Sequence, residues 1–388
     1  MLPRGGGADV VSAVVSTTSY WLQEPREELP QRRFHGRAEV AVIGGGVTGC
    51  SCALTLAERG VRVRLHEARE IAGGASGRNG GFALRGATPP YDEARRLLGV
   101  EQGRRVMELT ERSLDRLEQL AGDAFRRVGS LRLAHGDVER DALQREHDAL
   151  REDGFAVEWV DDLEPPLDRL YVGAIHHPPD GALQPARWVR RLAAAAAAAG
   201  ADLREREQVR PGELDADVVV VAVDGSTAAL LPELADRVTA TRGQVLVTEP
   251  LAERRYARPH YARQGFDYWH QLPDGRIVIG GSRDASPETE STAVEETTEL
   301  VQARIESLLE RLVGFRPQVT NRWAGIWGTT PDLEPLVGPV PGRAGVWVAG
   351  GYSGHGNVLG LACGDLVARA ILGEQSPELA PFDPARFG

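Results

Sequence analysis

Along the chain the spacing of apolar positions changes period several times, and each change marks an element. The run Glu39-Val40-Ala41-Val42-Ile43 is short and nearly all apolar, as a strand buried on both faces requires. Glycines 44–46 follow, and then a helical pattern over about 48–59 that Gly60 stops. Residues 61–66 alternate aliphatic side chains with arginine, which predicts a second strand and completes a βαβ opening. Helical periodicity with heavy charge covers 91–121 and 137–153, with a short strand at 131–134 between them. A helix at 186–199 carries the alanine run 193–199, which helix propensity explains, and ends at Gly200. Residues 217–223 form a near-continuous valine strand. Strands then dominate: 243–248, 266–271 and 276–280, the last two joined by the turn Pro273-Asp274-Gly275. An acidic helix at 293–312, a strand at 318–327, and a strand at 346–349 feeding a glycine loop and a helix at 356–372 complete the pattern.

The pattern predicts an α/β chain with two interleaved domains. Residues 37–90, 165–237 and 325–375 form a Rossmann-like dinucleotide-binding domain. Residues 91–164 and 238–324 form a second, mostly antiparallel β-sheet domain that covers the reactive end. Residues 1–36 read as an irregular extension and 376–388 as a tail.

Composition removes several chemistries. All 45 basic side chains among the 388 residues are arginine, so no lysine serves as Schiff-base nucleophile, general base or oxygen-activating cation. The net charge of −11, with no basic tract interleaved with aromatics, argues against nucleic acid as a partner. Cys50 and Cys52 sit two apart on a helix and Cys363 is distant, which supports neither a disulfide framework nor zinc. His176 and His177 are neighbours on extended chain and point opposite ways, so no metal is expected. The N-terminal stretch lacks a sustained apolar core, and no apolar run is long enough to span a membrane. A soluble, reducing, cytoplasmic setting is the expectation.

The chemistry-bearing segments are glycine loops. Gly44-Gly45-Gly46-Val47-Thr48-Gly49 fits G-x-G-x-x-G between strand and helix. Gly44 permits the tight turn, Gly46 lets backbone N–H groups approach a pyrophosphate, and Gly49 lets the helix pack closely on the strand. Val47 opens the helix, whose free N–H groups and dipole favour an anion. Glu67 ends the second strand 18 residues after Gly49, where a carboxylate can take ribose hydroxyls. A second loop, Gly74-Ala75-Ser76-Gly77-Arg78-Asn79-Gly80-Gly81, is rich in donors. A third, Gly350-Gly351-Tyr352-Ser353-Gly354-His355-Gly356-Asn357, opens a helix whose N-terminus can stabilise negative charge on a reduced ring. Three separated loops suit a large extended cofactor better than NAD.

On these residues the sequence resembles the FAD-dependent D-amino-acid oxidase, glycine oxidase and sarcosine oxidase superfamily. It is most similar to the gamma-glutamylputrescine oxidase group. Ser19-Tyr20-Trp21, the 74–81 loop, Arg242-Gly243-Gln244, the Pro273 hairpin, 323–332 and the 350–357 loop carry the resemblance, over about 19–375. It implies a glutathione-reductase-type FAD-binding fold and a substrate domain. It also implies that Ala75, Ser76, Arg78, Asn79, Gly80, Gly354, His355, Gly356 and Asn357 line the flavin, and that Val209 contacts the adenine.

Departures from the family pattern bear on substrate and acceptor. Trp327 stands where glycine-oxidase-like members carry the arginine that clamps the substrate carboxylate. A tryptophan can wall an apolar slot or receive a cation, or be only packing. Amine or polyamine-like substrates therefore gain on amino acids, unless Arg78, Arg283 or Arg322 supplies a displaced clamp. The flavin-linking cysteine near Gly325 is absent by resemblance, and Arg78-Asn79 stand where a flavin-linking histidine would lie. Non-covalent FAD is the expectation. The oxygen-activating lysine near Val278 is absent too, which leaves the electron acceptor open. The resemblance places His270 over the flavin, as proton acceptor or as a pocket-lining residue without a proton role, with Tyr268 on the same strand face. Tyr352 and Trp327 are the candidate substrate walls. The expected reaction is hydride transfer from an amine to flavin N5, hydrolysis of the imine, and reoxidation by O2 to hydrogen peroxide. An amino-acid oxidase or dehydrogenase, a tailoring oxidase on a larger metabolite, and a non-catalytic electron-transfer subunit are the alternatives. The oligomeric state is not legible.

Overall fold

A computed structural model describes residues 15–30 and 33–388. The expectations for residues 1–14, an irregular start without an apolar leader core, lie outside the described residues. The apolar run at 40–43 becomes the strand Ala38–Ile43, inside a six-stranded sheet. It pairs in parallel with Val63–Glu67 on one side and Ala216–Val221 on the other. Asp202–Glu205 extends the sheet past the former, while Val346–Gly350 and then the antiparallel Leu336–Pro339 extend it past the latter. Alternate residues of the central strand supply the two faces. Val40 and Val42 pack under the helices Val47–Glu58, Pro185–Ala199 and Gly356–Ile371, and Ala41 and Ile43 pack against Leu231, Leu234 and Val238.

The second sheet has eight strands in the order Val319–Thr329, Thr239–Thr248, Ile277–Gly281, Asp267–Gln271, His260–Ala262, Ser130–Leu133, Ala174–His177, Glu158–Val160. Neighbours run antiparallel except His260–Ala262 beside Ser130–Leu133. The helix Glu299–Val313 covers part of it, burying Val301, Ile305, Leu308, Leu309 and Leu312 at helical spacing against Leu246, Ile277 and Ile279.

Two local expectations change. The strand Ala174–His177 falls in the stretch assigned to the dinucleotide-binding part, yet it pairs into the second sheet. The helical stretch 91–121 divides into Tyr91–Leu98 and Val100–Ala121 at Gly99, whose φ of +84° breaks the helix. The described part of the N-terminal extension has little regular structure, as expected, but one piece of it is firmly held. Tyr20–Gln23 forms a 3-10 turn in which Trp21 is 1% exposed. Ser19 Oγ donates to the Gly77 carbonyl at 2.8 Å, and Trp21 Nε1 donates to the Asn79 carbonyl at 2.8 Å. A segment this short carries no periodicity, but its two side-chain donors pin the second glycine loop. No helix of the described residues is long and apolar enough to cross a membrane, and the three cysteines are buried thiols.

Candidate active site

The carboxyl ends of the parallel strands open onto a cleft of about 720 Å³ that continues under the second sheet. At its first bend the glycines behave as their spacing requires. Gly44 has φ +115°, and a Cβ there would overlap the Ala222 carbonyl. A Cβ on Gly49 would overlap the Gly44 carbonyl oxygen, so only glycine lets the helix Val47–Glu58 approach the strand end. Gly49 does this from behind, outside the cleft wall, whereas Gly44, Gly46, Val47 and Thr48 line it. Glu67 also lines it. Its carboxylate accepts from Gly45 N and Arg69 N, each at 2.7 Å, which aims it at the same bend. Val209 lines the far end beside Glu207, where the resemblance places an adenine.

The second and third loops meet across the cleft. Asn79 Nδ2 donates to Asn357 Oδ1 at 3.1 Å and to the Ala75 and Ser76 carbonyls. Asn357 Nδ2 donates to the Phe82 carbonyl at 2.6 Å. These amides join the loops to each other, so what faces the cleft is chiefly backbone and the N-terminus of the helix Gly356–Ile371. Ala75, Gly80, Gly354 and Gly356 line the same wall. Ser76 Oγ accepts from Val47 N at 3.1 Å and ties the second loop to the first. Arg78 is committed: Nε donates to the Gly73 carbonyl at 2.9 Å, and NH2 lies 3.6 Å from Glu295, which Arg69 also pairs at 2.7 Å. Asp224, unremarked in the sequence, is half-buried beneath the third loop and accepts from Gly351 N at 2.8 Å. Burial pushes its carboxyl up to about 6.

At the covered end the cleft is walled by Tyr261, Tyr268, Arg283, Trp327 and His355. The Trp327 ring lies over the α-carbon of Gly243, where any Cβ would strike it, so the glycine of Arg242-Gly243-Gln244 makes room for the indole. Tyr268 packs edge-on against Phe82, with ring centroids 5.8 Å apart, and burial pushes its phenol up to about 12. His355 Nδ1 meets Thr88 Oγ1 at 3.0 Å, while the buried Nε2 has no partner. Burial, then Arg132 and Arg283, push the ring down to about 3, so it is neutral under ordinary conditions. Tyr261 escaped the sequence reading because its strand is only three residues long.

Two expected site residues are placed differently. Tyr352 contributes to the wall, but its hydroxyl is bonded to Thr48 Oγ1 at 2.9 Å and the side chain is buried. It pins the helix after the first loop to the third loop itself, which commits its hydroxyl. His270 shares a strand face with Tyr268 as alternation requires, yet it does not line the cleft. Phe82 and Trp21 cover it, with ring centroids 5.4 and 6.2 Å away, and among the described residues neither ring nitrogen has a hydrogen-bond partner.

Burial pushes His270 from 6.5 down to about 3. The unfolded chain therefore binds this proton first as pH falls. The stability tied to the neutral ring is present above pH 6.5 and is lost toward pH 3, by up to ~1.4 kcal/mol per pH unit. His270→Phe should keep its flavin and turn over within about twofold of wild type, and should lose less stability on acidification. A fall in turnover of about 100-fold, the usual cost of losing a general base, would return His270 to the reaction.

The residues present fit an extended dinucleotide. Two helix N-termini face the cleft, glycines leave backbone exposed at both bends, a carboxylate closes one end, and a buried imidazole nitrogen lacks a partner at the other. Fold and cleft together define an α/β oxidoreductase with its reactive end under a second sheet. The chain belongs to the DAO family of FAD dependent oxidoreductases, whose model matches residues 39–370. FAD is thus its cofactor, and the expected fold class holds. The chain is 29% identical over 368 residues to the probable oxidoreductase OrdL of Rhizobium meliloti (strain 1021), covering 88% of this chain and 84% of that one. It is 27% identical over 395 residues to the gamma-glutamylputrescine oxidoreductase of Escherichia coli (strain K12), covering 92% and 89%. Glycine oxidase of Geobacillus kaustophilus (strain HTA426) is 29% identical over 386 residues, covering 90% and 97%. The crystal structure of glycine oxidase from Geobacillus kaustophilus aligns with a TM-score of 0.74 at 24% identity, over 90% of this chain and 98% of that one, which shows the common fold. Among the described residues no group of three or more His, Cys, Asp or Glu side chains is placed to hold a metal.

Proposed function

We propose that this chain oxidises a C–N bond of an amine, with the six-stranded sheet as its cofactor-binding unit and the eight-stranded sheet as its substrate-binding one. The observation that carries the reading is the continuity of one cleft from Glu67 and Val209, past the glycine loops, to an aromatic end walled by Tyr268 and Trp327. When bound, FAD supplies a hydride acceptor at N5 and a route for the electrons to O2, giving hydrogen peroxide, while the imine product hydrolyses in water. The chain's share is placement. Trp327 and Tyr268 wall the slot in which the carbon to be oxidised sits, and the second sheet keeps bulk water from it. The N-terminus of the helix Gly356–Ile371 lies where it favours negative charge at the covered end. His355 is neutral and serves as a hydrogen-bonding partner rather than as a base. The substrate therefore enters as its neutral amine, because the phenols of Tyr261 and Tyr268 stay protonated and His355 does not act as a base.

FAD is held without a covalent link in this reading. Cys50, Cys52 and Cys363 are buried in the core away from the cleft, and Gly325 stands where a cysteine would attach. Supply of a panel of amines to the purified protein in air, read by peroxide release, tests the function. Turnover of at least one amine class is expected, with FAD released intact on acid precipitation. Peroxide from none of them, with FAD present, argues for another electron acceptor or another substrate bond.

A further inference from the structure

Beyond the covered end of the cleft lies a second, smaller cavity of about 20 Å³. The two spaces share two wall residues, Leu84 and Tyr261. Sheet register puts Tyr261 between them. In the eight-stranded sheet Tyr261 pairs with Tyr268 on one side and with Arg132 on the other, so the three side chains form a row on one face. Tyr268 lines the cleft, Arg132 lines the small cavity, and Tyr261 stands between. Its ring is wedged in place. The ring centroid lies 5.6 Å from the Arg132 guanidinium carbon and 5.9 Å from the His355 ring centroid. Gly265, at φ +86°, leaves room for the phenol where any Cβ would overlap it.

The small cavity differs in chemistry from the aromatic end it adjoins. Arg132 NH1 lies 2.6 Å from each oxygen of Glu146, and Ser130 Oγ donates to Asp180 at 2.6 Å. Arg85 pairs with Glu111 and, through NH2, lies 3.4 Å from His177 Nδ1. Burial holds the His177 ring neutral by pushing it well below 6.5. A guanidinium only donates, so Nδ1 accepts and the ring carries its hydrogen on Nε2. Among the described residues His177 Nε2 and Arg85 Nε have no partner. Two buried donors on the wall of a polar space call for an oxygen. The space is wide enough for about one water or hydroxyl.

We propose that Tyr261 sets the length limit of the substrate: its ring stops the amine at the aromatic slot and closes the polar cavity behind it; this rests on the amine-oxidising reading above. The enzyme accordingly takes amines short enough to end before the ring. Longer chains are refused sterically, because the wedged phenol has no free space into which to turn.

The test follows anaerobic reduction of the flavin by straight-chain amines of increasing length and by the same amines ending in a hydroxyl. Holoenzymes of wild type, Tyr261→Phe, Tyr261→Ala and Leu84→Ala are compared at equal flavin content. In wild type the reduction rate at low amine concentration should fall about tenfold or more at the first methylene that meets the ring. Tyr261→Phe keeps the ring and should break at the same length. Tyr261→Ala should move the break to longer chains. Past the wild-type limit it should favour the hydroxyl end over the methyl end by about threefold to tenfold, because only the hydroxyl satisfies the donors of the cavity. Leu84→Ala opens the partition from its other side, should move the break the same way, and serves where Tyr261→Ala does not hold flavin. A structural role for Tyr261 would lower the rate at every chain length and leave the break in place, so the length at the break is the deciding quantity. An unmoved break in both opened variants, or longer reach without preference for the hydroxyl, overturns the partition while leaving the amine reading intact. Wild-type flavin that no amine reduces overturns the amine reading and the partition with it.

Discussion

Gly49→Ala should yield a protein that no longer retains FAD through purification. The added methyl would occupy the position of the Gly44 carbonyl oxygen and crowd Val42, and neither the strand end nor the glycine turn can yield without moving the other. The contact is with backbone, so no side-chain rotation relieves it. Overpacking of this kind costs on the order of 1–3 kcal/mol, and the displaced helix N-terminus no longer aims its N–H groups at the bend. FAD affinity is expected to fall by about 100-fold or more, equivalent to roughly 3 kcal/mol. Gly212→Ala is the control, because a Cβ there meets nothing within 4 Å. Flavin content and thermal midpoint should be unchanged in the control and reduced in Gly49→Ala. Normal flavin content in Gly49→Ala would contradict the assignment of the first glycine loop.

That loop was legible because turn, helix start and strand end are all local, and each glycine's reason is fixed within a few residues. The covered end was less so. Alternation told which face of the strand Asp267–Gln271 His270 occupies, but not that Phe82 and Trp21, from distant parts of the chain, would lie over it. Arg78, Arg283 and Arg322 were equivalent in the sequence, and only pairing with Glu295 and Glu306 separates them. Tyr261 and the strand Ala174–His177 lie on short strands with too few residues to show a period. The described N-terminal segment took its place in the core through two hydrogen bonds to the second loop, a long-range event with no local signature. Residues that set the fold were readable by pattern, and residues that complete the site depended on contacts across the chain.

The second large effect concerns the buried pair behind that end. Arg242 Nε and NH2 lie 2.8 and 2.9 Å from the two oxygens of Glu290, and Gln244 Nε2 donates to both oxygens at 3.0 Å. Both charged side chains are buried. Burial alone would raise the Glu290 carboxyl, but the bonds from Arg242, Gln244 and Thr298 hold it below its ordinary range. Glu290→Ala leaves a guanidinium without its counter-ion in a buried setting, which should cost ~3–5 kcal/mol of stability. Replacing both members, Arg242→Met with Glu290→Leu, should cost far less than the single change, because no unpaired charge remains. Chemical denaturation midpoints of the three proteins check this. A single variant as stable as wild type would mean that the pair is not sealed from water.

The strap 291–298 connects Glu290 to the helix Glu299–Val313 and carries Ala293 and Glu295 to the cleft wall. Gln244 Oε1 accepts from Thr298 N at 2.9 Å, so the buried pair and the strap are one hydrogen-bonded unit. Glu290→Ala should therefore also loosen the cleft wall and weaken ligand binding beyond its effect on stability. The acceptor half of the cycle is less constrained. Position 278 is buried aliphatic, and the chain has no lysine to place an ammonium near the flavin.

The central claim is that FAD in this cleft accepts electrons from the C–N bond of an amine. Anaerobic mixing of the purified holoenzyme with a panel of amines, followed in the visible spectrum, tests it before any acceptor is involved. The account expects bleaching of the flavin band by at least one such amine, at a rate that saturates with its concentration, together with one equivalent of carbonyl product per flavin after hydrolysis. A flavin that stays oxidised with every amine offered, in protein that carries a full complement of FAD, would contradict it.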